Sequence, residues 1–272
     1  LTVRQTLVTA TTALATVSRT PRLDAELMMA HALGTPRDRM ILAHFEDATP
    51  EGFAPLLARR RAHEPIAYIL GTRDFWTVTL RVTPDVLIPR PDSETLLEAA
   101  VAHFGQTGPR HVLDLGTGSG ALLIAALDQW PDATGVGIDA SEAALRIARE
   151  NVTYAGQMQR ARIVKGGWTG TGERFDLILC NPPYIATDEI LPPDVANWEP
   201  ASALYAGEDG LDDYRLIAPA LAPQLAVGGI ACVEIGYTQR DAVTILIEEH
   251  GLTVGCRADL AGRDRCLIAH FK

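Results

Sequence analysis

Val112-Leu-Asp-Leu-Gly-Thr-Gly-Ser-Gly120 is an apolar strand that runs into a glycine-rich turn and opens a helix. An open parallel sheet places its ligand at such a turn, and glycines let a bound molecule approach the backbone with no Cβ in the way. Outward from this stretch, apolar β-like runs alternate with helical ones. Strands are expected at 111–115, 134–138, 161–165, 175–180, 229–235, 253–258 and 266–271, with helices near 119–130, 141–155, 211–227 and 239–250. Strands separated by helices pair in parallel with right-handed crossovers, so a doubly wound, mostly parallel α/β sheet is expected. The last two strands lie too close for a helix between them and should pair antiparallel.

Upstream the pattern changes. Residues 1 to about 64 carry helical spacing, first in Leu23, Leu27, Met28 and Leu33, then in Met40, Ile41 and Phe45, then in Leu56 and Leu57. Thr35-Pro36 and Thr49-Pro50-Glu51 each place a capping hydroxyl before a proline, and Gly34 suits a helix stop. A small helical bundle is expected, with Arg59-Arg60-Arg61 as a solvated helix face in preference to a partner-binding patch. Alternation in Phe75-Trp-Thr-Val-Thr-Leu-Arg-Val82 predicts a strand or hairpin. Two prolines in Val86-Leu-Ile-Pro-Arg-Pro91 exclude a regular helix, and Asp92 or Ser93 can cap a helix through about Phe104. The expected organisation is a helical domain over 1–73, a hairpin and linker over 74–91, and a sheet domain over 92–272.

Composition excludes several classes. Of 272 residues 47% are hydrophobic, enough for a full core, and Gly 23 plus Pro 17 is far below low-complexity levels. The longest apolar run, Ala121 to Leu127, is well short of the ~18–20 residues that span a bilayer. No basic-then-apolar leader opens the chain, and Leu1 rather than Met stands first, so an untargeted cytoplasmic protein with a trimmed terminus is expected. Cys180, Cys232, Cys256 and Cys266 form no C-x-x-C pair, and no cluster has metal-ligand spacing, so no metal is expected. The net charge is −10, and residues 1–73 hold nine Arg against seven Asp and Glu, so the acidic excess lies in the sheet domain. That balance argues against direct binding to nucleic acid.

The glycine turn leaves two ligand readings open. Gly116, Gly118 and Ala121 fit the dinucleotide pattern, whereas Gly116, Gly118 and Gly120 fit the shorter pattern of S-adenosylmethionine enzymes. Asp114 would repel a pyrophosphate but suits an ammonium group, or it braces the turn. Asp139 ends the second strand where an acid can hold ribose hydroxyls, or it caps the next helix. The decisive segment is Phe175-Asp-Leu-Ile-Leu-Cys-Asn-Pro-Pro-Tyr184, an apolar strand leaving the sheet on the same edge as the glycine turn. Consecutive prolines stiffen the loop and leave carbonyls free to accept. Asn181 and the Pro182 carbonyl can both accept from one NH2 group, with Pro183 stiffening the loop and Tyr184 as a flat wall. Two acceptors grip a planar amide nitrogen, favour its pyramidal form and aim its lone pair at a methyl group, with no carboxylate base required. Cys180 reads as a buried strand residue.

With these two segments, Glu64-Pro-Ile-Ala-Tyr-Ile-Leu-Gly71, Leu87-Ile-Pro-Arg-Pro-Asp-Ser-Glu94 and Glu199-Pro-Ala-Ser-Ala-Leu204 make the chain resemble the release-factor glutamine methyltransferase family over nearly its whole length. The resemblance implies a Rossmann-like methyltransferase sheet of seven strands and a substrate-recognition role for the helical domain. It implies S-adenosyl-L-methionine as cofactor, peptide chain release factors as partners, and N5-methylation of the glutamine in their Gly-Gly-Gln loop. Carried over by motif, Asp114, Gly116, Thr117, Gly118, Ser119 and Gly120 would surround the methionine end, Asp139 the ribose and Trp168 the adenine. Asn181, Pro182, Pro183 and Tyr184 would hold the substrate amide, and Asn181 would sit beside the donor methyl. Arg90 and Glu94 would either touch the substrate loop or form a helix-entry ion pair. The family carries an acid before the residue matching Trp168, where this chain reads Gly166-Gly167, which puts the adenine amino contact in question.

Four other readings compete. An N6-adenine DNA methyltransferase shares the Asn-Pro-Pro-Tyr logic but needs a basic cleft for a flipped base. A glutamine methyltransferase acting on a ribosomal protein would have a similar site, although Ile88-Pro-Arg-Pro91 favours the release-factor branch. A nicotinamide dehydrogenase leaves Asn181 to Tyr184 without a task, and a noncatalytic adaptor leaves both motifs unused.

Overall fold

Residues 1–72 with 191–198 form one compact unit and residues 73–190 with 199–272 another in the computed structural model, which describes the whole chain, Leu1–Lys272. The first unit is built from α1 (Val3–Leu14), α2 (Pro21–Leu33), α3 (Arg37–Ala43), α4 (Phe53–Arg61) and α5 (Ile66–Leu70). Val3, Leu7, Ala10 and Leu14 recur at helical spacing and bury one face of α1 in a cluster with Met28, Met29, Met40 and Phe53. Each large apolar side chain removed from water there contributes about 1.5–3 kcal/mol. Thr2 and Gln5 form a reciprocal cap at the start of α1, and Gly34, expected as a helix stop, ends α2 in the left-handed region.

Three local expectations fail in this unit. Leu23 is 39% exposed, because α2 turns Asp24 inward instead, where Arg60 Nε donates to Asp24 Oδ2 at 2.7 Å. The arginine run is therefore not a solvated face: Arg60 is internal, Arg59 Nε donates to Glu64 at 2.8 Å, and Arg61 alone stays free in solvent. Neither expected threonine caps a helix. Pro36 and Gly52 stand at the N-caps of α3 and α4 without side-chain bonds, and the Thr49 hydroxyl pairs with that of Thr6 at 2.6 Å.

The second unit opens on a hairpin of β1 (Thr72–Phe75) and β2 (Val78–Arg81), whose two-residue link Trp76-Thr77 requires antiparallel pairing. The hairpin does not stand apart as a tether. Phe75 and Leu80 lie in the core with Leu96, Leu97 and Leu123, and Asn151 bonds both backbone groups of Arg81. A turn at Pro91–Ser93 leads into α6 (Glu94–Phe104).

Seven strands follow: β3 (His111–Leu115), β4 (Thr134–Asp139), β5 (Ala161–Lys165), β6 (Phe175–Cys180), β7 (Leu225–Glu234), β8 (Leu252–Ala258) and β9 (Asp264–Phe271). Their spatial order is β5-β4-β3-β6-β7-β9-β8. The first five pair in parallel and β9 runs antiparallel to both β7 and β8, the sheet class expected from the alternation. Helices α7 (Ala121–Gln129) and α8 (Glu142–Tyr154) carry the crossovers from β3 to β5. The short α9 (Pro193–Ala196) belongs to the helical unit, and α10 (Asp212–Gln224) and α11 (Arg240–Glu248) flank β7.

One boundary moved. The helix expected near 211–227 stops at Gln224, and β7 starts at Leu225 rather than Gly229. Pro223 sits in its final turn, Leu225 pairs with Phe175, and the register then slips before Leu177. Gly229 absorbs that irregularity, since a Cβ there would meet the Asp176 carbonyl at 2.5 Å. No helix is long and apolar enough to cross a membrane.

Candidate active site

The sheet register brings the sequence motifs together. Leu115 pairs with both Ile138 and Cys180, and Asp139 pairs with Lys165. The next residues on four adjacent strands, Gly116, Asp139, Gly166 and Asn181, therefore leave the same carboxyl edge side by side. The chain winds from β3 outward to β5 on one side and to β6 on the other, so this edge is the switch point where open α/β sheets bind ligands. A cavity of about 510 Å³ opens there, a size suited to a small-molecule ligand. Its wall includes Gly116 to Ser119, Asp139, Trp168 and Asn181.

The glycine turn has to be glycine at two points. Gly116 has φ +71°, and a Cβ on it would lie 3.2 Å from the Trp168 ring; Gly118 has φ +54°. Gly116 and Thr117 both donate to the Ile138 carbonyl at 2.9 Å, and Gly120 starts α7 in the left-handed region. Asp114 divides its work. Oδ2 accepts from Thr117 Oγ1 at 2.6 Å and from Leu123 N at 3.2 Å, which braces the turn, whereas Oδ1 is buried with no donor from the protein. Burial raises its pKa to about 7, against the two hydrogen bonds and with Asp139 adding to the rise. An orphaned carboxylate oxygen on a cavity wall fits a ligand that brings a cation or an N–H group. Asp139 also braces: Oδ2 accepts from Gly118 N at 2.9 Å and Oδ1 from Ser141 N at 2.8 Å, while Ser141 caps α8. The carbonyl of Ser119 accepts from Asn151, which ties the turn to the hairpin.

Trp168 lines the same cavity, against Gly116. Its Nε1 donates to Asp213 Oδ1 at 3.0 Å, and Gln224 donates to its carbonyl at 3.0 Å, so α10 holds it from both sides. Asp213 lines the cavity as well, and burial raises its pKa. Gly167, where the resemblance led to expecting an acid, has open space around its Cβ position. The carboxylate beside Trp168 thus comes from a residue that the sequence reading passed over. Its signal was the second acid of Asp212-Asp213 at the start of α10, next to a departure from the family pattern.

The acceptor loop reads differently along its four residues. Asn181 lines the cavity, and its Nδ2 donates to Ser93 Oγ at 2.9 Å, which leaves Oδ1 as its acceptor. Pro183 lines the cavity, and no backbone N–H reaches the carbonyl of the buried Pro182. Tyr184 is not the flat wall expected of it. Its ring packs on the sheet core and its hydroxyl donates to Glu234 Oε1 at 3.2 Å, so burial and that carboxyl push its pKa up. The aromatic surfaces in the cavity are Phe75 and Trp168. Ser93 was expected as a helix cap, yet it makes no cap hydrogen bond, because its hydroxyl serves Asn181. Cys180 is fully buried, as expected.

Arg90 and Glu94 form no ion pair with each other. Arg90 bonds Glu199, which also accepts from Ile88 N at 3.1 Å, and Glu94 accepts from Trp76 N at 2.9 Å. The Glu199 bonds clasp the Leu87–Glu94 and Glu199–Leu204 motifs together, Glu94 ties the first of them to the hairpin, and both Arg90 and Glu94 stand outside the cavity wall.

Known proteins resemble this chain in sequence and in fold. The model of the PrmC N-terminal domain matches residues 5–71, and that of the methyltransferase small domain matches residues 92–194. A release factor glutamine methyltransferase of Rhodospirillum rubrum is 43% identical over 256 residues, covering 92% of this chain and 78% of that protein. One of Cereibacter sphaeroides is 44% identical over 255 residues, with 91% and 90% covered. Among solved structures, a methyltransferase from Pyrococcus furiosus has a TM-score of 0.54 at 18% identity, covering 80% of this chain and 98% of that one. The T. thermophilus 16S rRNA N2 G1207 methyltransferase, solved with AdoMet and guanosine, has a TM-score of 0.53 at 21% identity over 74% of this chain and 50% of that one. These two likenesses concern the fold.

Proposed function

The chain belongs to the release factor glutamine methyltransferase family and methylates release-factor glutamine; from that premise we propose that the reacting atom is N5 of the glutamine in a Gly-Gly-Gln loop and that the donor is S-adenosyl-L-methionine. The observation that carries this reading is the fixed amide of Asn181, an acceptor oxygen held on the cavity wall one residue beyond the strand that neighbours the glycine turn.

The residues fit the donor. Asp114 Oδ1 offers its ammonium group an unused carboxylate oxygen, Asp139 offers its ribose an acceptor, and Trp168 offers its adenine an aromatic face. Asp213 takes the adenine amino group in place of an acid at 167. The donor supplies a methyl group on a positively charged sulfur. Asn181 Oδ1 and the Pro182 carbonyl accept the two hydrogens of the substrate amide, which turns its weak lone pair toward that methyl. Orientation and fixed dipoles would then lower the barrier; as the nitrogen takes the methyl, the carbon–sulfur bond would break to leave S-adenosylhomocysteine, and the surplus proton would pass from the nitrogen to water.

A substrate that works in translation supports a cytoplasmic location, and docking the release factor is the role we propose for the helical unit. The test is transfer of labelled methyl to purified release factor and to the same factor with its loop glutamine replaced. Label is expected on the first and lost on the second. Equal labelling of both, or tight binding of NAD in place of the methyl donor, would defeat the assignment.

A further inference from the structure

We propose that Gln239 is a positioning residue for methyl transfer: its side-chain amide holds the acceptor loop against the segment that enters α10, and so sets the substrate amide against the donor. The proposal rests on the roles given above to Asn181 and the Pro182 carbonyl, and adds to them a residue outside the cavity wall.

Asn181-Pro182-Pro183-Tyr184 is a stiff rod. Each proline fixes its own φ and confines the residue before it to extended backbone, so little bending is left along the loop. The direction of the Pro182 carbonyl then depends on how the ends of the rod are held. One end leaves β6, where Cys180 pairs with Val233. At the other, Tyr184 N and Ile185 N donate to the Leu204 carbonyl at 3.2 and 2.9 Å, and the Tyr184 carbonyl accepts from Gln239 Nε2 at 2.9 Å.

The same Nε2 donates to the Gly210 carbonyl at 3.2 Å, just before α10 begins at Asp212. Asp213, in the first turn of that helix, lines the cavity and accepts from Trp168 Nε1. One side-chain nitrogen thus joins the loop that grips the substrate to the helix that holds the adenine wall. Gly210 permits the approach: it has φ +72°, and a Cβ on it would lie 2.4 Å from the Tyr184 carbonyl oxygen. Hydrogen-bond partners also decide which way the Gln239 amide points. Gly236 N donates to its Oε1 at 3.0 Å, and a backbone N–H can face only the oxygen end, so the NH2 end faces the two carbonyls. Gln239 stands at the N-cap of α11 without capping it, which leaves its side chain to these three bonds. Reacting groups tolerate little misplacement, since an error of about 1 Å can cost roughly a hundredfold in rate.

The experiment measures kcat and KM on full-length release factor at saturating S-adenosylmethionine, with calorimetric Kd for the donor. The variants are Gln239→Met, Gln239→Glu, Gln239→Lys and Asn181→Ala. Methionine keeps the length and removes all three bonds. Glutamate keeps an acceptor for Gly236 but sets oxygen against both carbonyls, whereas lysine keeps donors for the carbonyls and drops the acceptor. Gln239→Met and Gln239→Glu are each expected to lower kcat about tenfold, with KM and the donor Kd within about twofold of wild type. Gln239→Lys recovers most of the rate. A residue that only shapes the turn after β7 gives the reverse order, with glutamate near wild type and lysine impaired. That reverse order, wild-type kcat in Gln239→Met, or a donor Kd that weakens in step with kcat would overturn the proposal. An unchanged rate in Asn181→Ala would instead remove the reading on which it rests.

Discussion

Asp114 links charge to ligand binding. Its Oδ1 has no protein donor and its pKa sits at about 7, so an ammonium group that pairs with the ionised form binds more tightly above pH 7 than below it. On the acid side the donor Kd should rise by up to about tenfold per pH unit in calorimetry, and Asp114→Asn should flatten the dependence. Equal wild-type Kd at pH 6 and pH 8 would remove Asp114 from the ammonium site. The sign for stability is opposite. The folded pKa lies above the ordinary carboxyl value of 3.8, so this group's stabilisation is complete below that value and is lost as pH rises through about 7. The urea midpoint of ligand-free protein should fall relative to Asp114→Asn over that window. Asp213 is tested by base chemistry: wild type should prefer the adenine donor over its 6-oxo analogue, and Asp213→Asn should narrow that preference by about tenfold in Kd, roughly one hydrogen bond to a charged group. An unchanged preference would return Asp213 to the sole task of holding Trp168.

Between elements, the buried Asp24–Arg60 pair joins α2 to α4. Asp24→Ala leaves a buried guanidinium without its carboxylate and should cost about 3–5 kcal/mol of the helical unit's stability in urea unfolding. A loss under 1 kcal/mol would mean that Arg60 reaches water in the native state. The same pair shows why the sequence misled there. Apolar periodicity pointed to Leu23, but a buried ion pair draws two charged residues inside, and its partner lies 36 residues away, beyond any local pattern. Where one element is governed by its own residues, legibility was high. The strands at 111–115, 161–165 and 175–180 have the expected bounds, since each is a short apolar run closed by a turn. β7 was misjudged because its start depends on pairing with Phe175 across the sheet. The cavity residues Gly116, Asp139, Trp168 and Asn181 were legible from motifs, whereas Ser93, Glu234 and Asp213 were not, because their roles come from partners 88, 50 and 45 residues away. Tyr184 was read as a cavity wall for the same reason: nothing local reveals the carboxyl that draws its hydroxyl inward.

Over the whole molecule, the acidic excess of the sheet unit argues that substrate is selected by shape and by the amide contact rather than by a basic nucleic-acid cleft. If the helical unit docks the release factor, removing residues 1–72 should weaken methylation of full-length factor far more than that of a short Gly-Gly-Gln peptide, with the donor Kd preserved. Parallel losses on both substrates would assign that unit to stability alone. The grip on the substrate amide can be measured by crystallography of the enzyme with S-adenosylhomocysteine and a glutamine-bearing release-factor peptide. The glutamine amide nitrogen is expected at about 2.9 Å from both Asn181 Oδ1 and the Pro182 carbonyl. A complex in which the glutamine oxygen meets Asn181, or in which the side chain lies away from that loop, would contradict it.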